Sequence, residues 1–361
     1  MRSHSYFGVI SVFILLVISE AEAWHSRMRI AEIIVYIDIE HAIIAKIAEN
    51  YANKQSMEKV RTIAELIGPQ YPSTASYLDS ACWADEIKKQ SEFNYTASWH
   101  YIRTPYYRDG ISGREDTTEE NVIMKLKSLI KDINQNAVTM DESMKLRYFI
   151  HLVGDIHQPL HNIELYDNKF PTGDTNGQQF MIQLEDKENN TITQKLHVLT
   201  DAAGGLCSDT PTLPFTDERF DEINNKAKEF ASACDDLYFQ GFEFDPYQWS
   251  KESYEKGKSI YDSVNVMSIL TDEQMEYIQG ILKTQICKAG KRLAMSYELI
   301  YNQFPIPADF YFIMIGFLSL LAIVVLDEVY HGGSCSKQRK EYLGIENNKK
   351  KVRFDFGNSK V

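Results

Sequence analysis

The sequence is short of positive charge, with 38 Lys and Arg residues against 51 Asp and Glu residues and a formal net charge of −13. This balance argues against a protein that holds polyanions on a broad basic surface, because such surfaces need clustered Lys and Arg. An anionic substrate would need its positive charge from another source. Bound metal ions can supply that charge.

Internal repeats and low-complexity tracts are absent from the sequence, and alternation of apolar and polar residues is rare. Apolar residues instead recur at spacings of three and four, which predicts helices. We therefore expect one all-α globular domain, with a long polar loop from Asn162 to Asn176 crossing one end. Residues 178–184 are the exception, a strand candidate that could pair with 191–198 as a hairpin. The predicted helices cover residues 42–51, 56–67, 75–89, 118–134, 143–155, 220–239 and 271–304.

Long apolar runs occur only at the two ends of the chain. At the N-terminus, Arg2 precedes an apolar stretch from Val9 to Ile18, and Ala21-Glu22-Ala23 has the pattern of a cleavage site. These features predict a signal peptide over residues 1–23, whose removal leaves Trp24 as the first residue. An uncleaved anchor is the alternative, but the stretch is short for a membrane span.

The second apolar run, Phe310 to Leu326, carries no charge over 17 residues and is followed by a basic tail. This pattern predicts a transmembrane helix over residues 308–328 and a cytoplasmic tail over 329–361. Residues 24–305 would then form the outer domain of a single-pass type I membrane protein in the secretory pathway, at the cell surface or in a vacuole or lysosome. The basic tail disfavours the two alternatives, a buried core helix and a removed lipid-anchor signal.

Cysteine is scarce, with five residues in 361, and none shows the C-x-x-C spacing of a structural zinc site. Cys335 falls in the predicted cytoplasmic tail and should stay reduced. The other four lie on the predicted outer side and could form two disulfides, with three pairings open: Cys82, Cys207, Cys234 and Cys287. Two glycosylation acceptors, Asn94 and Asn189, fit the same topology.

Histidine and aspartate recur at the spacings that metal ligands need. His151 and Asp155 are four residues apart and face the same way on a helix, and His197 and Asp201 repeat this spacing. Three further residues of these types belong to the set: Asp85, His100 and His161. A single histidine of this kind is more often a surface or hydrogen-bonded residue than a ligand. A mixed imidazole and carboxylate cluster of this size, however, suits more than one zinc ion.

Several motifs together resemble a known family. They are Ala81-Cys82-Trp83-Ala84-Asp85-Glu86-Ile87, Trp99-His100-Tyr101-Ile102, His151-Leu152-Val153-Gly154-Asp155-Ile156-His157-Gln158-Pro159-Leu160-His161, Leu196-His197 with Asp201, and Gly290-Lys291-Arg292-Leu293-Ala294. They are similar to the zinc-dependent single-strand-specific nucleases of fungi, their bifunctional plant relatives and the trypanosomatid 3′-nucleotidase/nucleases. The resemblance runs from about His41 to Asn302 and implies the helical fold of the zinc phospholipase C/nuclease type.

The resemblance implies a site for three zinc ions. The first ion would be bound by Asp85, His100, His151 and Asp155, with Asp155 bridging to the third ion. The second would be bound by His161, His197 and Asp201. His157 has no counterpart among the family's ligands, and we expect it to support a ligand by contact.

The third ion is where the sequence departs from the family. Relatives bind it through the free amine and carbonyl of an N-terminal Trp, here Trp24, and through a His five residues later. Arg29 stands at that position in this chain, and His41 begins the segment that resembles the ligand-bearing one. His41 is therefore the expected ligand, and His25 is a weaker candidate.

The resemblance also implies roles in catalysis and substrate binding. Asp85 and Asp155 would hold the catalytic ions, and Lys88 would stabilise the transition state, although a solvated surface lysine is equally compatible with its position. Tyr101 would stack on a base. Arg103 replaces an acidic or amide residue that contacts the base in relatives, and Asn176 lies in a loop expected to line the cleft.

Three functions remain open on these grounds. The first is a monomeric nuclease that hydrolyses single-stranded DNA and RNA to 5′-mononucleotides, with 3′-nucleotidase activity as a further expectation. The second is a phospholipase C acting on membrane lipid with the same metal ligands. The third is a zinc-binding surface protein that has lost catalysis.

Overall fold

The protein is described by a computed structural model, which covers residues 39–113, 120–185, 190–207, 212–234 and 244–301, and residues 316, 319–323, 325 and 326. The chain divides into two compact units, Met1–Gln303 and Phe304–Val361. The helices of the first unit are α1 (Ile39–Tyr51), α2 (Lys54–Ala64), α3 (Tyr77–Ser80), α4 (Trp83–Ile87), α5 (Val122–Asp132), α6 (Met140–His157), α7 (Leu196–Asp201), α8 (Asp217–Ala231), α9 (Pro246–Ser263) and α10 (Asp272–Tyr301). Short 3₁₀ turns cover Gly68–Gln70, Pro72–Thr74, Asn94–His100, Pro159–Asn162, Ala203–Gly205 and Ser232–Cys234.

Strands are few among the described residues, as the sequence predicts. β1 (Pro105–Tyr107) pairs in parallel with β2 (Glu164–Tyr166). β3 (Met181–Glu185) pairs antiparallel with β4 (Thr191–Lys195), with Met181 opposite Lys195. The predicted mainly helical fold and the predicted hairpin are thus confirmed. β2 lies within the segment that was expected to be an irregular loop, so that part of the prediction was wrong.

Helix α1 is the centre of the larger hydrophobic core, and its residues are buried on nearly all sides. It packs against α10, α8 and α6. Gly290 of α10 allows the closest approach, since a Cβ atom there would lie 2.5 Å from the side chain of Ile47 and 3.1 Å from the Ile44 carbonyl oxygen. This packing fixes the first turn of α1, which carries Glu40 and His41, inside the protein.

Helix α6 has clear start and stop signals. The Thr139 side chain accepts a hydrogen bond from the Glu142 amide and caps the N-terminus. At the other end, Pro159 restricts Gln158 to an extended conformation, so the helix ends at His157 and the chain turns. The turn places His161 beside the helix rather than beyond it.

Two helix predictions need correction. The helix expected over residues 75–89 is interrupted at Ala81 and Cys82, where the backbone amides bond to carbonyls three residues back rather than four. The sequence analysis did not predict helix α9. Its buried face includes the small residues Ser253 and Gly257, so apolar residues do not recur along it at helical spacing. A Cβ at Gly257 would lie 2.7 Å from Ile163, so this face must stay small.

Among the described residues, no helix is both long and apolar enough to cross a membrane. The predicted span over residues 308–328 lies mostly outside the described residues, and those of its residues that are described are helical and exposed. The predicted signal peptide, the tail over 329–361 with Cys335, and Asn189 also lie outside the described residues. Asn94 is exposed at the start of its 3₁₀ turn.

Among the described cysteines, one disulfide is present, between Cys234 and Cys287. It joins the end of α8, through the turn Ser232–Cys234, to the middle of α10. The other two candidates, Cys82 and Cys207, are buried thiols outside this bond. The expectation of a second disulfide was therefore wrong among the described cysteines, and these two thiols contribute as small apolar side chains.

Reduction of the Cys234–Cys287 bond should lower the free energy of unfolding by about 2–4 kcal/mol, because it removes a cross-link across 53 residues. Denaturant unfolding with and without reductant measures this change. The double variant Cys234→Ser, Cys287→Ser is the control and should not respond to reductant. An unchanged stability of the wild-type chain, with the bond shown by mass spectrometry to be broken, would contradict the expectation.

Candidate metal centre

The first group of predicted ligands meets at one end of α6. His151 and Asp155 come from α6, Asp85 from α4 and His100 from the end of the turn Asn94–His100. His151 Nε2 lies 3.3 Å from Asp85 Oδ1 and 3.4 Å from Asp155 Oδ2. His100 Nδ1 lies 2.8 Å from Asp155 Oδ2 and 3.3 Å from Asp85 Oδ1. The structure therefore brings these four residues together.

The second group lies on the other side of Asp155. His161 comes from the turn Pro159–Asn162, and His197 and Asp201 lie one turn apart on α7. His161 Nε2 is 3.4 Å from Asp201 Oδ1, and His197 Nε2 is 3.2 Å from Asp201 Oδ2. The two imidazole rings are stacked with their centroids 4.9 Å apart.

His41 joins the first two groups from α1. Its ring stacks on His151 at 3.7 Å, and its Nε2 atom lies 3.4 Å from Asp155 Oδ1. Gly154 makes room for it, because a Cβ there would lie 2.5 Å from His41 Nδ1. The structure thus places His41 where the sequence predicts a ligand. Trp24 and His25 lie outside the described residues.

The separations fit tetrahedral coordination. Three groups of ligand atoms lie within 4.8 Å of one another: His41, His151 and Asp155; Asp85, His100 and His151; and His161, His197 and Asp201. With metal–ligand bonds of about 2.0–2.2 Å, the edges of a tetrahedron are about 3.3–3.6 Å long. Most of the nitrogen–oxygen distances in the cluster are 3.2–3.4 Å. The residues present therefore fit metal ions between them.

Several of these atoms are buried without a hydrogen bond. His41 Nδ1, His100 Nε2 and His151 Nε2 have no hydrogen-bond partner among the described residues. Such unsatisfied atoms are costly in a protein interior, and they concentrate here because a metal ion is the partner that this geometry suits. This is an independent structural sign that the cluster can hold metal ions.

Backbone carbonyls orient three of the imidazole rings. His151 Nδ1 donates to Ala81 O at 2.8 Å, His161 Nδ1 to His100 O at 2.8 Å, and His197 Nδ1 to Asn176 O at 2.7 Å. Each hydrogen bond places the ring proton on Nδ1, so the lone pair of Nε2 is available to coordinate a metal ion. The carbonyl that orients His151 belongs to Ala81, the residue at which the helix predicted over residues 75–89 is interrupted.

Gln158 is a positioning residue that the sequence analysis missed. Its Nε2 atom donates to Asp201 Oδ1 at 2.6 Å and to Thr200 Oγ1 at 3.0 Å. Its Oε1 atom accepts from the amides of Leu160 and His161. Gln158 therefore ties Asp201 to the turn that carries His161. Its place within His-Gln-Pro-Leu-His was the signal that could have revealed it.

His157 does not support a ligand, contrary to expectation. Its ring nitrogens contact Val153 O and Arg292 Nη1, and its ring packs near Trp249. It is 1% exposed and points away from the cluster because it lies two residues after Asp155 on the helix, on a different face. Its contact with Arg292 makes it a packing residue between α6 and α10.

The predicted substrate residues surround Tyr101, which follows the ligand His100. The Arg103 guanidinium lies over the Tyr101 ring, 4.9 Å from its centroid, and Arg103 Nε donates to Asn176 Oδ1 at 3.3 Å. The Asn176 amide nitrogen donates to the carbonyls of Ile102, Leu160 and Ile163. These bonds make Asn176 a positioning residue for the loop, and its contact with substrate stays a prediction.

A cavity of about 160 Å³ opens beside the ligands. Lys88 is the only lysine or arginine among the described residues that line it, and its Nζ atom donates to Asp85. The lining also includes Glu40, which the sequence analysis did not single out and which is 7% exposed. Burial, followed by the charge of Asp201, raises the pKa of Glu40 well above its usual value.

The histidines and carboxylates shift each other's pKa values. Burial alone would raise the pKa of Asp155, but the neighbouring His151 and His161 outweigh it and hold that pKa well below its usual range. Burial alone would lower the pKa of His161, but Asp155 and then Asp201 raise it to about 9. Burial and the charge of Lys88 lower the pKa of His100 to about 4.

Comparison with known proteins agrees with the site. The chain matches the S1/P1 nuclease family over residues 37–302. It is 28% identical to endonuclease 5 of Arabidopsis thaliana over 134 residues, which are 34% of this chain and 44% of that protein. It is 28% identical to nuclease P1 of Penicillium citrinum over 134 residues, 34% of this chain and 45% of that protein.

A longer similarity links the chain to nuclease S1 of Aspergillus oryzae, at 23% identity over 301 residues, 74% of this chain and 92% of that protein. The matched segment covers less than half of the length of endonuclease 5 from Arabidopsis and of nuclease P1 from Penicillium. These matches confirm the resemblance inferred from the motifs.

Substitution Gly154→Ala should displace His41 and reduce the metal content by one ion per chain, because the new methyl group would occupy the position of the imidazole. Zinc per chain is measured by elemental mass spectrometry after gel filtration. Gly280→Ala on α10 is the matched control, since nothing lies within 4 Å of its Cβ position, and it should keep its metal and gain up to about 1 kcal/mol of stability. Full metal content in Gly154→Ala would refute this role of the glycine.

Zinc should stabilise the protein more as the pH rises from 6.5 to about 9. In the metal-free protein the pKa of His161 is raised from 6.5 to about 9, so its protonation stabilises the folded state below pH 6.5 and this contribution is lost as the pH rises through about 9. A metal ion takes the place of that proton. Melting temperatures of zinc-loaded and chelator-treated protein test this, with Mg²⁺ as the control. A zinc effect that is independent of pH would contradict it.

Proposed function

Because the chain belongs to the S1/P1 nuclease family, we propose that it is a zinc-dependent nuclease that hydrolyses single-stranded DNA and RNA to 5′-mononucleotides. The observation that carries the proposal is the position of Asp155, whose carboxylate oxygens lie within 3.4 Å of four histidines. A carboxylate in this position can bridge two ions, an arrangement that two-metal hydrolysis of a phosphodiester uses. Hydrolysis of 3′-nucleotides is proposed as a second activity of the same site.

Zinc suits the donor set, since imidazole nitrogen and carboxylate oxygen are its usual ligands. The proposed ligands are His41 and Asp155, with the amine and carbonyl of Trp24, for one ion, and the two groups around Asp85 and Asp201 for the others. Zinc bound there would supply Lewis acidity and a nucleophilic water at neutral pH. The chain's own residues then have to bind the phosphate, orient it and balance its charge.

We propose that Lys88 contacts the reacting phosphate. Its ammonium group lines the cavity beside Asp85, and its side chain is 31% exposed. In a cavity otherwise lined by acidic, imidazole and uncharged groups, this fixed positive charge would favour the extra negative charge of the transition state. We therefore assign Lys88 to transition-state stabilisation.

Tyr101 and Arg103 are proposed to select single strands. An unpaired base can stack on an aromatic ring or on a guanidinium plane, whereas a base within a duplex has no free face. The Arg103 guanidinium over Tyr101, held by Asn176, forms such a surface next to the ligand His100. Arg103 can also contact a phosphate.

The predicted signal peptide and the predicted span over residues 308–328 support a location outside the cytoplasm, with the domain as an anchored monomer. This topology is part of the proposal. It agrees with the Cys234–Cys287 disulfide, since disulfides persist in oxidising compartments.

The full chain should release 5′-mononucleotides from single-stranded DNA and RNA and cut duplex DNA far more slowly, and chelation should abolish both activities until zinc is added back. Asp155→Asn should lower kcat/KM by about a hundredfold or more, because it removes the charge shared by the ions. Asp141→Asn is the matched control, at the start of the same helix with its side chain 74% exposed, and should retain wild-type activity.

Two results would reject the nuclease in favour of another function. Hydrolysis of phosphatidylcholine vesicles with single-stranded DNA left intact would identify a phospholipase C. Stoichiometric zinc binding with all of these substrates left intact would identify a zinc-binding surface protein.

A further inference from the structure

A second lysine, Lys195, lies next to the cavity without lining it. It ends β4, where it pairs with Met181 of β3, and it is exposed. Its Nζ atom donates a hydrogen bond to Gln178 Oε1 at 3.2 Å, and Gln178 is one of the residues that line the cavity. Lys195 therefore adds a positive charge at the rim of the cavity.

The backbone fixes the position of this lysine. The amide of Leu196, the next residue, donates to the Phe180 carbonyl at 2.8 Å. The amide of His197 donates to the Gly177 carbonyl at 3.3 Å. The end of β4 therefore runs beside the loop that carries Gln178. Because His197 is a proposed metal ligand, the lysine and the glutamine are held against the ligand group to which His197 belongs.

The contact also orients the Gln178 carboxamide. An ammonium group can only donate, so the amide atom that faces Lys195 must be the oxygen. The two N–H donors of the amide then remain, and they make no hydrogen bond with any described residue. Lys195 uses one of its three donors in this contact. An amide nitrogen beside an ammonium group is an arrangement of donors that the oxygens of a phosphate fit.

The size of the cavity decides which phosphate these donors would meet. Its volume of about 160 Å³ is smaller than that of most ligand pockets, so it holds only part of a nucleotide. A strand whose reacting phosphate lies at the metal cluster must therefore continue along the rim. Lys88 pairs with Asp85 inside the cavity, whereas Lys195 is exposed at its edge. The rim donors are thus placed for a neighbouring phosphate of the strand.

We propose that Lys195 and Gln178 form a binding subsite for the phosphate adjacent to the scissile one, which makes the chain prefer polynucleotides to substrates with a single phosphate. This rests on the proposed function and specifies which part of its substrate is recognised outside the metal cluster. Lys195 supplies charge, and Gln178 supplies neutral donors. Neither residue takes part in the cleavage of the bond.

The first test compares dithymidine monophosphate, which has only the phosphate to be cut, with the same dinucleotide carrying an additional phosphate at its 5′ or 3′ end. One of the two additions should raise kcat/KM of the zinc-loaded full chain about tenfold, as expected for one charged hydrogen bond. Chromatography of the products follows cleavage between the two thymidines.

Substitution Lys195→Gln should abolish the increase given by the second phosphate and leave cleavage of dithymidine monophosphate at the wild-type rate. Lys195→Arg should keep most of the increase, and Gln178→Leu should lose part of it. Lys127→Gln is the matched control, an exposed lysine on α5, and should behave as the wild type. The same increase in wild type and Lys195→Gln would overturn the proposal. So would a wild-type chain that responds to neither terminal phosphate.

Salt dependence provides a second readout, which a change in packing would not alter. Affinity for phosphorothioate-linked oligothymidine, which resists cleavage, is measured by fluorescence anisotropy on the zinc-loaded chain at several salt concentrations. The slope of log affinity against log salt should fall in magnitude by about 0.7 in Lys195→Gln, the value for one phosphate contact on a single strand. It should not change in Lys127→Gln. An unchanged slope in Lys195→Gln would contradict the subsite.

The subsite and the nuclease can fail separately. A smaller salt slope in Lys195→Gln, with a wild-type chain that leaves single-stranded DNA and RNA intact, would support the subsite and reject the proposed function. Cleavage of single-stranded DNA with an equal response to the second phosphate in wild type and Lys195→Gln would support the function and reject the subsite.

Discussion

The carboxylate of Asp155 is the constraint on which the site depends. It is 2% exposed, and its isolated charge would cost several kcal/mol in that position. Histidines from separate segments therefore converge on it: His41 from α1, His100 from a 3₁₀ turn, His151 from its own helix and His161 from the turn after it. This convergence explains why α1 is buried at the centre of the core and why position 154 is glycine. Any shift of α1 against α6 would move a ligand.

Much of the site could be predicted from the sequence, because its ligands obey local geometry. His151 and Asp155, and His197 and Asp201, are four residues apart on helices, so their spacing alone places each pair on one face. The Pro159 that ends α6 could also be predicted to turn the chain. Helix existence was predictable where apolar residues line one face, as in α5 and α10.

The rest depends on contacts between distant segments, which spacing does not encode. The break at Ala81 turns its carbonyl to His151, and nothing in the local pattern of residues 75–89 shows it. The buried face of α9 is made of small residues because Ile163 approaches Gly257, so its period is hidden. The pairing of Cys234 with Cys287, and the burial of the Cys82 and Cys207 thiols, likewise follow from helix packing alone. Glu40 escaped notice because a single acid next to a histidine has no motif.

The acidic character of the chain and its proposed anionic substrate are reconciled by the same cluster. The cavity is lined by four acidic side chains, Glu40, Asp85, Asp155 and Asp201, against the single ammonium group of Lys88. Divalent ions bound among these ligands would add positive charge where a phosphodiester has to bind. Attraction of nucleic acid would then be confined to the metal-loaded site, since a chain of net charge −13 has little positive charge elsewhere on its surface. Under the proposed function, binding of substrate, and not only its hydrolysis, would therefore depend on the metal.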